Sequence, residues 1–234
     1  MPTRNIVSID ANYGQIHWTE FPPRSQTTLI TAPKNLAIAY TNRETRTAFA
    51  LLLELDERLG LVVGRTNEAL VGQMRMAWWR DVISKDVDAR PSGEPLIAEL
   101  AAVEAEHGRA PISSSMTKII DAWDLLLAQE DWTEDILLSH SNLRAEAIFG
   151  AFDHLNKLEA SDGAHLCGLH WALHDLAIVS GHDVNAAINE VSEPAKLPKS
   201  HRPLSLLLMM ARQQNSGAGR LAGLRLAWHG LTGL

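Results

Sequence analysis

From about Leu36 onward the apolar residues of this chain recur at helical spacing in long stretches broken by Gly, Pro and Ser, and runs that alternate as a strand would are very few. Faces patterned in this way are buried only by packing against one another, so the sequence predicts an all-α fold. The predicted helices are 36–60, 66–85, 95–107, 114–129, 134–159, 162–180, 184–191, 203–215 and 219–229. A polar, Pro-containing loop is expected over 86–93, and a break at Ser216 and Gly217. In the first helix Ala48, Leu51, Leu52, Leu55 and Leu59 share a face, with a stop expected near Gly60 and Gly64. Thr66 is the N-cap candidate for the second. No repeat of fixed period is visible, which argues against a solenoid.

Residues 1–33 lack this periodicity and are interrupted by Pro22, Pro23 and Pro33. They are read as an irregular N-terminal arm with room for a short strand pair. Trp18 and Phe21 could tie the arm to the body, and a poorly ordered start fits equally well. The remaining 34–234 is long enough for one substantial core, and 46% apolar with 21% charged residues is ordinary for a globular domain.

The same composition narrows the function classes. A net charge of -7 speaks against nucleic-acid binding through a broad basic surface. The longest strongly apolar stretch, Pro203 to Ala211, is fenced by Arg202 and Arg212 and is far short of the roughly 20 residues of a bilayer span, so no transmembrane segment is expected. The single cysteine, Cys167, excludes an intramolecular disulfide, and no secretory pattern opens the chain. The expected location is the cytoplasm, with a position peripheral to a membrane as a variant of it.

The most distinctive segment is GQMRMAWWRD, Gly72 to Asp81. Met74, Trp78 and Val82 fall at i, i+4, i+8, with Arg75 and Trp79 as a second i, i+4 pair beside them. Adjacent tryptophans on a helix point about 100° apart, so burying both predicts a central helix packed on more than one side. Arg75 could bind a diphosphate or pair with a carboxylate on a neighbouring helix.

This segment resembles the G-E-I-R-L-Q-W-W-R-D signature of a branch of the squalene/phytoene synthase family, whose members join isoprenoid diphosphates head to head. The flanks follow the same order. Thr41 to Arg58 is similar to the family's early helix, Gly168 to Ala177 to its G-x-x-W-A-L helix, and Leu197 to Arg212 to its late L-P-x-x-x-R-P segment. The resemblance covers roughly Pro33 to the C-terminus and implies an isoprenoid-synthase-like helical bundle. It also implies two facing acidic motifs that hold Mg2+ against a diphosphate.

Those motifs are incomplete in this chain. The first falls at Asp56 and Glu57, yet four residues on from them stand Gly60 and Leu61. In the second, Ala172, Asp175, Ile178 and Val179 replace the family's glutamine, asparagine and terminal Arg-Asp, and Asp162 and Asp175 are too far apart to share a face by the i, i+4 rule. Asp56, Glu57, Arg75 and Asp175 are therefore read as a remnant of a diphosphate and metal site, with Leu52, Trp78, Trp79 and Trp171 as candidate pocket lining. Without the metal clamp the main electrostatic contribution to ionising a prenyl diphosphate is lost.

Other constellations are weaker. His170 and His174 form an i, i+4 pair that could bind a metal, beside His165 and with Cys167 or Asp175 as imperfect further ligands, but packing histidines are the simpler reading. Cys167 reads as small packing filler, and Glu130, Asp131, Glu134 and Asp135 as a solvated helix start.

The leading expectation is a divergent synthase-like protein without head-to-head synthase activity. It would bind an isoprenoid-like ligand or act as an assembly factor for a membrane or respiratory complex, as degenerate members of the family do for complex I. Two alternatives stay open. One is a Mg2+-dependent transferase on prenyl diphosphates using Asp56, Glu57 and Arg75; the other is a helical scaffold whose interior is filled by Trp78, Trp79, Trp123 and Trp171.

Overall fold

A computed structural model describes residues 31–65, 68–91 and 93–216. Among them every regular element is helical: α1 (Ala32–Ala39), α2 (Arg46–Arg65), α3 (Ala69–Ser84), α4 (Pro95–His107), α5 (Arg109–Leu127), α6 (Glu134–Arg144), α7 (Ala151–Leu155), α8 (Asp162–Ser180), α9 (Asn185–Glu190) and α10 (Arg202–Asn215). A six-residue π turn, Ala145–Gly150, joins α6 to α7 without a break in the rod. The buried apolar side chains form one contiguous core. Residues 1–30 of the arm expected over 1–33, the Thr66 cap, Gly217 and the helix at 219–229 lie outside the described residues.

The element boundaries depart from the sequence reading in instructive ways. Pro33 begins a helix instead of interrupting the chain, because a first-turn residue has no backbone bond to lose. The single helix expected over 36–60 is two, parted at Tyr40–Thr45. Arg46 closes the gap by donating from Nη2 to the carbonyls of Ala39 and Thr41 at 3.1 and 3.0 Å, which satisfies the open end of α1. Gly60 and Gly64 do not stop α2. A Cβ on Gly60 would stand 3.1 Å from the Trp123 ring, and one on Gly64 would stand 3.1 Å from the Val179 carbonyl. These glycines admit neighbouring helices to close approach. The helix expected from 114 starts at Arg109, and the rod expected to reach 159 ends at Leu155.

The expected central position of the Trp–Trp helix is also corrected. α3 packs chiefly on α5 and only lightly on α2. Trp79 is buried, Trp78 is half-buried against its edge at 4.9 Å, and Met74 is exposed. The centre of the bundle belongs to α2, α5 and α8, with α6 and the π turn packed on α5 and α8. Gly168 of α8 sets one of these contacts, since a Cβ there would meet the Ala145 Cβ at 2.8 Å.

Candidate functional site

α2 carries Ala48, Leu52, Asp56 and Gly60 along one i, i+4 row, and this row faces the core. Asp56 is thus an ionisable group wholly removed from water, which is tolerable only with charge and hydrogen-bond partners. Gly60, one turn on, leaves room for the Trp123 indole, whose Nε1 donates to Asp56 Oδ1 at 2.9 Å. Arg144, at the last position of α6, supplies the charge. Its Nε donates to Asp56 Oδ1 at 2.8 Å and its Nη2 to Asp56 Oδ2 at 2.6 Å, a two-pronged pairing.

The same Nη2 donates to Asp175 Oδ2 of α8 at 2.6 Å, and Nη1 donates to the Ala172 carbonyl at 3.2 Å. The guanidinium lies between the rings of Trp123 and Trp171, 4.6 Å from each centroid. Lys34 of α1 completes the cluster. Its ammonium is 3.0 Å from Asp175 Oδ1, 2.6 Å from Glu57 Oε2 and 3.9 Å from Asp56 Oδ2. Three of the four residues read as a site remnant, Asp56, Glu57 and Asp175, are therefore brought together from two helices. Two cations that the sequence reading did not single out stand between them.

The electrostatics follow from this geometry. Burial alone would push the Asp175 carboxyl up, but Lys34 and Arg144 outweigh it and hold the group down at about 2. Burial works against the charged forms of Lys34 and Arg144 as well, and the carboxylates reverse it, so both stay protonated. His140 lies edge-on to Trp123 with its Nδ1 2.8 Å from the Ala122 carbonyl. Burial and the nearby Arg144 charge push it down to about 3, so it is neutral and donates from Nδ1.

Mg2+ does not fit this arrangement. Both oxygens of Asp56, both of Asp175 and one of Glu57 are in contact with an ammonium, guanidinium or indole N–H. A metal would have to displace Lys34 and Arg144, leaving two buried cations unpaired. Nothing in this centre supplies the open, oxygen-lined coordination that a diphosphate-bound metal needs.

Of the remaining sequence candidates only Trp171 touches the cluster. Arg75 is half-buried on α3 and makes no ion pair among the described residues. Its neighbour Arg80 instead spans to Asp121 and Asp124 of α5, at 2.7 and 3.1 Å. Leu52, Trp79 and Trp171 are core residues and not the wall of an open cleft, with Trp171 stacked on Arg144. Asp162 is exposed at the start of α8.

His170 has both ring nitrogens engaged, Nε2 with the Ser192 carbonyl at 3.1 Å and Nδ1 with Arg212 Nη2 at 3.3 Å. His174 accepts from Asn215 at 3.2 Å and is pushed down to about 4 by burial, Arg212 and His170. Among the described residues no group of three His, Cys, Asp or Glu side chains is placed to hold a metal. Cys167 is buried and its thiol is pushed up to about 12 by that burial, which leaves it inert filler.

A Ser–His–Asp grouping absent from the sequence reading occurs at Ser200, His201 and Asp153. Ser200 Oγ is 3.0 Å from His201 Nδ1, and His201 Nε2 is 3.0 Å from Asp153 Oδ1. The second contact is close but lacks an aligned hydrogen, and among the described residues neither atom has another hydrogen-bond partner. It is a close buried contact, not the aligned relay that would orient a general base. A cavity of about 180 Å³ lies elsewhere, between α5 and the π turn, and contains none of the candidate residues among its walls.

No family model, curated protein or solved structure matches the chain.

Proposed function

We propose that this chain is a divergent, non-catalytic relative of the squalene/phytoene synthases that works by binding a partner, as an assembly factor for a membrane or respiratory complex would. The observation that carries the reading is the placement of Arg144 between Asp56 and Asp175, with Lys34 closing the same acids from the other side. In a prenyl transferase those carboxylates would have to be free to hold Mg2+ against a diphosphate. Here their negative charge is spent on internal cations, so the centre holds helices together and offers no electrophilic clamp to a leaving group. The three tryptophans that fill the interior, Trp79, Trp123 and Trp171, support the same reading, because they occupy volume that an isoprenoid tail would need.

Incubating the full chain with Mg2+ and geranylgeranyl diphosphate, and measuring released diphosphate, tests this reading. The expected release equals that of the protein-free control. Turnover that disappears in Glu57→Gln, whose side chain reaches the edge of the cluster, would restore the transferase reading.

A further inference from the structure

The π turn between α6 and α7 has two sides. Its wider ladder admits an extra residue, an insertion that recurs at functional sites, and on the inner side it follows directly on Arg144. On the outer side it stands off α5 and leaves the cavity of about 180 Å³. A Cβ on Gly150, the last residue of the turn and part of the cavity wall, would meet nothing within 4 Å, so no neighbouring side chain closes the space there. The cavity shares no wall residue with the buried acid centre, and what it binds is independent of whether that centre is catalytic.

Its floor is apolar. Ile112 of α5 and Ala151 of α7 are buried, with Pro111 and Leu155 half-buried beside them. The rest of the wall is polar and reaches solvent. Ser114 and Ser115 of α5 and His154 of α7 line it, and the side chains of all three are without a hydrogen bond among the described residues. Lys118 and Glu146 line it as an ion pair, 2.9 Å from Nζ to Oε2, with side chains 43% and 41% exposed. Asn142 donates to the other Glu146 oxygen at 3.0 Å. The Lys118 bond lowers the Glu146 carboxyl from its ordinary value, so it stays ionised. An ammonium has more donors, and a carboxylate more lone pairs, than these bonds use, so the pair offers free donors and free acceptors side by side.

We infer that this cavity binds a free aliphatic α-amino acid. Such a molecule carries an ammonium and a carboxylate on one carbon, the complement of the adjacent Glu146 and Lys118 charges, and an apolar side chain that suits the floor of Ile112, Ala151 and Leu155. Ser114, Ser115 and His154 supply further polar contacts to the head group. Charge decides against a simple acid or amine. A lone carboxylate at the pair would meet Glu146 and a lone ammonium would meet Lys118, whereas the zwitterion satisfies both. Size decides against a larger ligand, since drug-sized molecules take pockets of about 300 Å³ or more.

The experiment is calorimetric titration of the full chain with leucine, isocaproate and isoamylamine, which carry the same branched chain with both head groups, the carboxylate alone and the ammonium alone. Saturable, stoichiometric binding is expected for leucine and none for either analogue over the same range. Gly150→Leu, which adds a side chain to the cavity wall where a Cβ meets nothing, should abolish binding, while Gly93→Leu, at an equally open position outside the wall, should leave it unchanged. Glu146→Gln should reverse the preference, weakening leucine severalfold and gaining isocaproate, an outcome that a merely structural ion pair would not give. Should Gly150→Leu fail to fold, Ser115→Leu narrows the same cavity from α5 and takes its place. No saturable binding of leucine, equal binding of either analogue by the unaltered chain, undiminished binding with the cavity filled, or leucine binding untouched by Glu146→Gln would each overturn the proposal.

Discussion

Arg144 and Asp56 meet through two nearly parallel hydrogen bonds, 2.8 Å from Nε to Oδ1 and 2.6 Å from Nη2 to Oδ2, with neither side chain exposed to water. Burying each ion costs several kcal/mol, and the cost is offset only because every charged oxygen of Asp56 and nearly every donor of Arg144 is used. The pair joins α2 to α6, and its extension to Asp175 joins both to α8.

Removing one partner should therefore be far worse than never having had either. Arg144→Met leaves Asp56 and Asp175 buried with Lys34 as their sole cation and is expected to cost about 3–5 kcal/mol of unfolding free energy in urea. Asp56→Leu made in the same chain should return part of that loss. A cost below about 1 kcal/mol for Arg144→Met would mean that the cluster is solvated and the pairing superficial.

The buried histidine makes stability depend on pH in a stated direction. His140 is held down at about 3 when folded, against about 6.5 for a free imidazole, so below that value the unfolded chain takes up the extra proton. Its contribution is complete above pH 6.5 and is lost as pH falls toward 3, with a slope of about 1.4 kcal/mol per pH unit for one proton. Asp175, also depressed, at about 2, adds a second loss that begins only below the ordinary carboxylate range near 3.8. His140→Asn keeps an N–H donor toward the Ala122 carbonyl and removes the titration. Melting curves from pH 7 to pH 4 should therefore be flatter in this variant than in the parent, and identical pH dependence would contradict the burial argument.

Two helical glycines should respond oppositely to alanine. A Cβ on Gly72 meets the methyls of Leu127 at 2.8 and 2.9 Å, the movable end of a flexible side chain. Gly72→Ala is expected to be neutral or to stabilise by up to about 1 kcal/mol through helix propensity. A Cβ on Gly168 meets Ala145 Cβ at 2.8 Å and its Cα at 3.1 Å, which cannot move without the π turn. Gly168→Ala should cost about 1–3 kcal/mol, a difference that paired urea titrations would resolve.

Much of the fold was legible because helical periodicity is a local property. The starts of α4 and α8, with Pro95 and the Ser161 cap that accepts from the Ala164 N–H at 3.1 Å, are written in adjacent residues. What periodicity misreads is any residue whose role lies in another element. Gly60 looks like a helix stop until Trp123 is placed against it, and the Trp78–Trp79 pair looks central until Trp78 is found on the rim. The site divided in the same way. Asp56, Glu57 and Asp175 stand out only through the resemblance to the family's acidic motifs, and Lys34 and Arg144 lie 22 and 88 positions from Asp56, where nothing local marks them as its partners. The missed signal was the demand itself: an acid on the i, i+4 row of Leu52 and Gly60 must be buried, and a buried carboxylate requires a cation from elsewhere in the chain.

The central claim, that Lys34 and Arg144 and not a divalent metal balance the buried acids, is tested most directly by titrating the full chain with Mn2+, a paramagnetic stand-in for Mg2+, and following the free ion by electron paramagnetic resonance. The account predicts only weak, salt-screened binding to surface carboxylates, unchanged by Glu57→Gln. A stoichiometric tight site that is lost in Glu57→Gln while the helical fold persists would contradict it.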